Sequence, residues 1–527
     1  MLYKIKSPDE AANLIQDGAT VGISIMGLAG WAEELGKAVE RRFLETGYPR
    51  DLTVVSSSAA GDSKDRGVTR FGHEGLVKKW IAGHMGQAPK MRTLVEEEKI
   101  EGYNLPQGVI VQLWREISAK RPGLITRVGM GTFIDPRVEG GKMNSISKDE
   151  PVKVVEFEGE EYLFYKSFTV DVAIIRGTTA DENGNLTMER EGILLEALPL
   201  AQATKNCGGI VIAQVENIAK KNTLEPKQVI VPGIMVDYIV KCTDKENHWQ
   251  TEGLYYNPSF SGEVKIPMSS VLPFPLNARK VVARRAAMEL TPDAIINLGI
   301  GISTDVGSVA GEEGVFDMMH LTTEAGTIGG VPASPPHFGH SYNAEAIIEH
   351  QSQFDYYDGG GISEAFLGMA QIDKEGNVNV IKFSGRVVGS GGFINISQNS
   401  QKVVFCGLFT ASGLEVSTGN GRLTIEQEGK YNKFVDRVEQ ITFSGKFARE
   451  NGQSVNYVTE RAVFTLEDDG LCLIEIAPGI DLEKDILSKM EFRPKICPDL
   501  KTMNPDIFYP EWNKLRDIIN GKIERDE

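Results

Sequence analysis

Apolar runs of four to seven residues recur along the chain, and they tend to end in glycine or other small residues. Residues 19–25 (ATVGISI) form such a run. Gly27 and Gly30 follow, and then WAEELGKAVERRFLET takes up helical spacing. LTVV (52–55), VAII (172–175) and IVIAQV (210–215) read as short buried strands, and the stretch 76–81 reads as part of a helix. In the second half RKVVARRAAMEL predicts a helix, and IINLGI after it predicts a strand. Strands alternating with helices predict an α/β fold with a largely parallel sheet.

The texture changes at residues 243–276. That stretch is polar and aromatic, holds four prolines and has no sustained period, which suggests a long connection between domains. An internal echo spans it. AIIRGTTADENGNLTMER, from Ala173, resembles FLGMAQIDKEGNVNVIKF, from Phe366. Asp181 and Asp373 stand 192 positions apart, and Asn206 and Asn399, each just before an apolar strand, stand 193 apart. Taken alone, Asp-x-x-Gly-Asn is a common turn, with Asp capping and Gly at positive φ. Two echoes in one register favour duplication. The expected organisation is therefore two related α/β domains, 1–242 and 277–527, joined by a linker over 243–276. A cleft between two such halves is a natural place for a site.

Composition adds bounds. A chain of 527 residues exceeds one compact core, and 41% hydrophobic with 24% charged residues is ordinary for globular proteins. No apolar run reaches the length of about 18 residues expected of a membrane span. The first residues carry no apolar core of a signal peptide, so the expected compartment is the cytoplasm. The five cysteines are scattered and form no C-x-x-C, which argues against a disulfide framework or a zinc site. Cys207, Cys406 and Cys472 sit in apolar surroundings and read as small core residues. A net charge of −17 argues against nucleic acid as a partner, although backbone N–H groups can still hold an anionic ligand.

The candidates for chemistry narrow quickly. Gly299-Ile-Gly301 and Gly129-Met-Gly131 lack the third glycine of a dinucleotide fingerprint, and there is no Walker A sequence. No G-x-S-x-G elbow supports a serine hydrolase. His337, His340 and His350 do not have zinc spacing and read as loop or surface residues. Arg279, Lys280, Arg284 and Arg285 read as a solvated helix face. The most unusual local sequence is HLTTEAGTIGGVP (320–332), where Glu324 follows a strand among small residues and glycines. On local pattern alone that carboxylate serves either as the cap of a following helix or as a nucleophile toward a thioester. Glycine N–H groups or an amide side chain would hold the developing oxyanion.

Nearly the whole chain resembles the family I CoA-transferases, in the single-chain acetate/propionate (lactate) branch. The blocks are LAGWAEEL (28–35), HEGLVKKWIAGHMGQAP (73–89), YNLPQG (103–108), GMGTFIDPR (129–137), NLGIGI (297–302), TTEAGTIGG (322–330), QFDYYDGGG (353–361), GSGGFINIS (389–397) and TERAVF (459–464). The resemblance implies two fused α/β domains, α-type then β-type, with the active site at their interface. It implies Glu324 as the nucleophile and Gln107 as a donor to the acyl oxyanion. It further implies CoA contacts at Gly299, Gly301, Gly359, Gly360 and Gly361, and an acyl pocket bordered by Gly27, Ala29, Gly30 and Trp31. Trp31-Ala32 stands where more distant relatives carry Ile-Pro, and Ala325 where many carry Asn or Ser.

The expected activity is ping-pong transfer of CoA between short acyl-CoAs and carboxylic acids such as acetate, propionate, butyrate or lactate, through a glutamyl-CoA thioester. CoA enters as substrate, and no metal or tightly bound cofactor is implied. A homotetramer is expected by analogy, with no membrane or nucleic-acid partner. The alternatives are an acyl-CoA hydrolase, in which water attacks the intermediate, and a non-catalytic CoA-ester-binding protein.

Overall fold

A computed structural model describes residues 4–267, 275–383 and 386–526. The chain divides into two compact units. One takes in the described residues of Met1–Ile266, Thr323–Asp355 and Lys382–Asn395; the other takes in those of Pro267–Thr322, Tyr356–Ile381 and Ile396–Glu527. No helix among the described residues is long and apolar enough to cross a membrane.

The first unit is built on a parallel sheet in the order Ile5–Lys6, Tyr238–Lys241, Ile210–Ala219, Val172–Asp181, Thr20–Ile23, Leu52–Ser56, Val77–Ala82 and Glu101–Asn104. All ten residues of the central strand Val172–Asp181 are buried. Its first four residues, Val172–Ile175, are the unbroken apolar run that a strand covered on both faces calls for, and beyond them the buried Arg176 is paired with Glu191. The helix Glu33–Thr46 ends on Gly47 at φ 73°, a left-handed cap that an L side chain rarely adopts.

Residues 76–81 depart from expectation. All but Leu76 lie in the strand Val77–Ala82, not in a helix, with Trp80 buried and Lys78 exposed. The spacing LVKKWIA suits either element. Gly75 and Gly83 leave too short a run for a stable helix, and pairing with the strands on both sides decides the outcome.

In the second unit the sheet runs Met319–Thr322, Ala294–Leu298, Glu364–Gly368, Lys402–Cys406, Ser454–Val458, Ala462–Glu467, Gly470–Ile476 and Lys495–Thr502. Its first five strands are parallel, and Ala462–Glu467 is antiparallel to both of its neighbours. The internal echo is visible here. Glu364–Gly368 lies between Ala294–Leu298 and Lys402–Cys406, just as Val172–Asp181 lies between Thr20–Ile23 and Ile210–Ala219. The turns repeat bond for bond. Asp181 accepts from the backbone of Asn183 and Asn185 and from the Asn185 amide. Asp373 accepts from the backbone of Glu375 and Asn377 and from the Asn377 amide.

Three further expectations change. Part of the stretch 243–276 is built into the first unit: Asn247, His248 and Gln250 are buried, and Gln214 Nε2 donates to the Asn247 carbonyl at 2.9 Å. Residues 268–274 of that stretch lie outside the described residues. Of the basic run only Arg279 is exposed; the other three residues do not form a solvated face. On the helix Ala278–Ala287, Lys280, Arg284 and Arg285 are all buried. Arg285 grips Glu475 with two bonds of 2.8 Å, and Arg284 donates to the carbonyls of Ile507, Tyr509 and Pro510. Their long stems cover apolar surface while each head finds acceptors. Cys207 is exposed, because it stands just past the end of the helix Ala197–Asn206; Cys406 and Cys472 are buried.

Candidate active site

Glu324 sits two residues past the strand Met319–Thr322, on a tight turn rather than at the start of a helix. The turn closes through Gly326 N to Thr323 O (3.1 Å) and Thr323 N to Thr327 O (3.0 Å). Gly326 holds φ 105°, and a Cβ there would overlap the Ile348 carbonyl oxygen, so only glycine fits. Beneath the turn the hydroxyls of Thr323, Thr327 and Ser341 form a buried chain with links of 2.8 Å. Thr327–Ile328 pairs with Ala346–Ile347, which brings residues 324–328 and 346–350 side by side.

The carboxylate-bearing turn packs on the loop of the first half. Ala325 is fully buried in an apolar cluster with Met26, Ala29, Ile193 and Leu195, and Phe338 lies against it. Met26 and Ala29 exchange backbone bonds of 3.0 and 2.9 Å, a tight hairpin that presents both side chains to this cluster. Gly30 leaves no room for a side chain, since a Cβ would meet Leu195. Gly27 donates to the Ala59 carbonyl at 2.8 Å. Glu324 itself is 7% exposed.

Gln107 is the first residue of the helix Gln107–Ser118, and its backbone N–H donates to Gly391 O at 2.9 Å. Its side-chain Nε2 lies 2.8 Å from Nε2 of His350. His350 Nδ1 lies 2.8 Å from Glu196 Oε2, and Glu196 Oε1 accepts from Ser57 Oγ at 2.6 Å. Gln107, His350, Glu196 and Ser57 are all buried. The Leu195 carbonyl accepts from His350 N at 3.1 Å, which ties this chain to the apolar cluster beneath Glu324.

Of the histidines read as loop or surface residues, His337 and His340 do lie in a loop, whereas His350 opens the helix His350–Asp358. His350 and His340 are fully buried, while His337 is half-buried. Burial pushes the His340 imidazole down to about 4, so it stays neutral beside the Phe260 ring. Glu196 and His350 had no local motif to flag them. The available signal for Glu196 was a lone carboxylate inside the apolar run LLEALPLA, since buried acids are rare without a partner.

Trp31 donates through Nε1 to Glu33 at 2.5 Å, and its ring meets Phe71 edge-on at 5.9 Å. It is one wall of a small cavity of about 10 Å³, with Leu28, Arg66, Arg176 and Trp249 among its other walls. The remaining candidate glycines belong to the second unit. Gly301, at φ 100°, precedes the helix Ile302–Glu312, and Gly299 donates to the Phe366 carbonyl at 2.8 Å. Gly359, Gly360 and Gly361 terminate the helix His350–Asp358; the last two donate to the Tyr357 and Tyr356 carbonyls at 3.0 and 2.9 Å.

A buried glutamate on a glycine turn is a group that can take and give an acyl group, and a buried glutamine amide is one that can donate to an oxyanion. Residues 5–242 match the coenzyme A transferase family model. The chain belongs to the coenzyme A transferases, as a single-chain member of family I. It is 57% identical to caffeate CoA-transferase of Acetobacterium woodii over 526 residues, covering 99% of this chain and 100% of the relative. It is 46% identical to acetate CoA-transferase YdiF of Escherichia coli K12, covering 96% and 95% of the two chains. The crystal structure of YdiF from E. coli O157:H7, as a thioester complex with CoA, superposes with a TM-score of 0.91 at 45% identity over 97% of this chain and 96% of that one.

Proposed function

We propose that this CoA-transferase exchanges CoA between short-chain acyl-CoAs and small carboxylic acids, with Glu324 as the covalent carrier. A Glu324 carboxylate oxygen attacks the thioester carbonyl of the donor and expels CoA thiolate, giving an acyl–glutamyl anhydride. The thiolate attacks the glutamyl carbonyl and expels the donor acid, leaving a glutamyl-CoA thioester. An acceptor carboxylate then attacks that thioester, and the thiolate returns to the acceptor's carbonyl, which frees Glu324. No net proton is consumed. Each tetrahedral intermediate carries an oxyanion, for which the Gln107 amide is the donor. The glycine loops at Gly299–Gly301 and Gly359–Gly361 are the proposed contacts for CoA.

The observation that carries this reading is the burial of Glu324 on a turn fixed by Gly326, over an apolar floor of Met26, Ala29 and Ala325. A site shut from water favours transfer over hydrolysis of the anhydride and the thioester. The small, filled floor supports short acyl groups. A second reading, aryl-propenoic acids as substrates, has one specific support, the 57% identity to a caffeate CoA-transferase.

The test is to incubate the enzyme with acetyl-CoA, reduce with borohydride or trap with hydroxylamine, and map the labelled peptide. Label on Glu324 supports the route. An unlabelled Glu324, together with full activity in Glu324→Ala, would overturn it. Propionate, butyrate, lactate and caffeate as acceptors then separate the two substrate readings.

A further inference from the structure

Four buried side chains stand in line in the first unit: Ser57, Glu196, His350 and Gln107, joined at 2.6, 2.8 and 2.8 Å. The last link is between two nitrogens. A glutamine amide nitrogen can only donate, so the ring nitrogen facing it supplies a lone pair. The imidazole proton then belongs on Nδ1, where it donates to Glu196. Glu196 accepts from His350 on one oxygen and from Ser57 on the other, so its buried carboxylate has a donor at each oxygen. It also stands at the N-cap of the helix Ala197–Asn206, where the helix dipole favours negative charge.

We propose that His350 and Glu196 are positioning residues for the transfer reaction. They select one imidazole tautomer and thereby fix the Gln107 amide. One amide N–H is spent on His350, and the other is left for the oxyanion. Glutamine has three rotatable side-chain bonds, and an untethered amide would have to be ordered anew in each transition state. Gly391 holds the backbone of the same residue, its carbonyl accepting from the Gln107 N–H at 2.9 Å. The inference rests on the glutamyl-thioester reading and adds to it a device for holding the donor.

The test is a kinetic double-mutant cycle on the full chain, with acetyl-CoA as donor and propionate as acceptor. Gln107→Ala should lower kcat by about 100-fold or more. His350→Ala should lower kcat by ~10- to 100-fold with KM for acetyl-CoA nearly unchanged, as supporting residues behind a reactive group do. In the Gln107→Ala background, His350→Ala should cost little more, because nothing remains to position. His350→Gln keeps an acceptor near the Nε2 position and should recover part of the loss.

Should His350→Ala fold poorly, Glu196→Gln serves in its place. Its amide faces Nδ1 either with an N–H, which favours the opposite tautomer, or with a neutral oxygen, which weakens the hold on the Nδ1 proton, and either way it should lower kcat in the presence of Gln107 but not in its absence. Equal losses in both Gln107 backgrounds, or a change in KM alone, would mean a structural role and overturn the proposal. Borohydride labelling of wild-type Glu324 separates the two levels. Label with an additive cycle sinks only the positioning role, whereas no label sinks the reaction on which it rests.

Discussion

Gly326 and Ile348 hold the Glu324 turn between them: the Ile348 N–H donates to the Gly326 carbonyl at 2.9 Å, and the Ile348 carbonyl occupies the space a Gly326 Cβ would need. Gly326→Ala should therefore displace the turn that carries the nucleophile. The cost to stability should be about 1–3 kcal/mol. The loss in kcat should be larger, about 100-fold, since small displacements of a reacting group are expensive. Thermal unfolding and steady-state kinetics on one preparation separate the two effects.

Glu324→Asp keeps the charge but shortens the side chain by one methylene. It should lose activity almost as fully as Glu324→Ala, because an oxygen held about 1 Å short cannot reach the thioester carbonyl without rebuilding the turn. Both variants should still bind CoA, which isothermal titration can check.

Acyl selectivity should respond at Phe338, which packs on the cluster of Met26, Ala29 and Ala325. Phe338→Ala opens space beside Glu324 and should shift kcat/KM toward bulkier acids by about tenfold relative to acetate. Competition between acetate and a branched or aryl acid measures the ratio directly.

Arg284 is buried and satisfies three carbonyls at the C-terminal end of the chain, those of Ile507, Tyr509 and Pro510. Arg284→Ala leaves them without that donor and removes a long side chain from the core. A loss of about 3 kcal/mol in stability is expected. Differential scanning calorimetry should show it on the transition of the second unit.

Acid should weaken the same unit through Glu289. Burial raises its proton affinity, but Arg285 and Lys402 outweigh that and hold the carboxyl at about 2. A folded-state value below the unfolded one means that the stabilisation is present above the unfolded value, near 4.5, and fades as pH falls toward 2. The full contribution is about 3 kcal/mol. Glu289→Gln should flatten that part of the stability profile while lowering stability at neutral pH, as denaturant titrations at several pH values would reveal.

What could be read in the sequence follows from what is local. Apolar runs announce buried parallel strands, so residues 172–175 and 210–215 were legible, while the polar remainders of Val172–Asp181 and Ile210–Ala219 were not; the repeated Asp turns were legible too, because the bonds they share lie within five residues. The strand Val77–Ala82 was not, because its spacing fits two periods and only its neighbours choose between them. The basic run on Ala278–Ala287 gave no hint that Arg284 and Arg285 face acceptors near residues 475 and 507–510. The chain from Ser57 through Glu196 and His350 to Gln107 was likewise hidden, since each of its links joins residues more than a hundred positions apart. Glu324 was only ambiguous on local pattern; the turn at Gly326 disposes of the helix-cap alternative.

The two aspartate turns give the molecule an experiment of its own on the dielectric environment. Burial pushes both carboxyls up and hydrogen bonds pull both down. At Asp181 the hydrogen bonds prevail and the proton affinity falls, whereas at Asp373 burial prevails and it rises. Duplication copied the geometry and left the surroundings free to drift. A pair of matched isotope-edited infrared measurements, one on each carboxyl, would read how far the interior of a protein can retune the same five-residue loop.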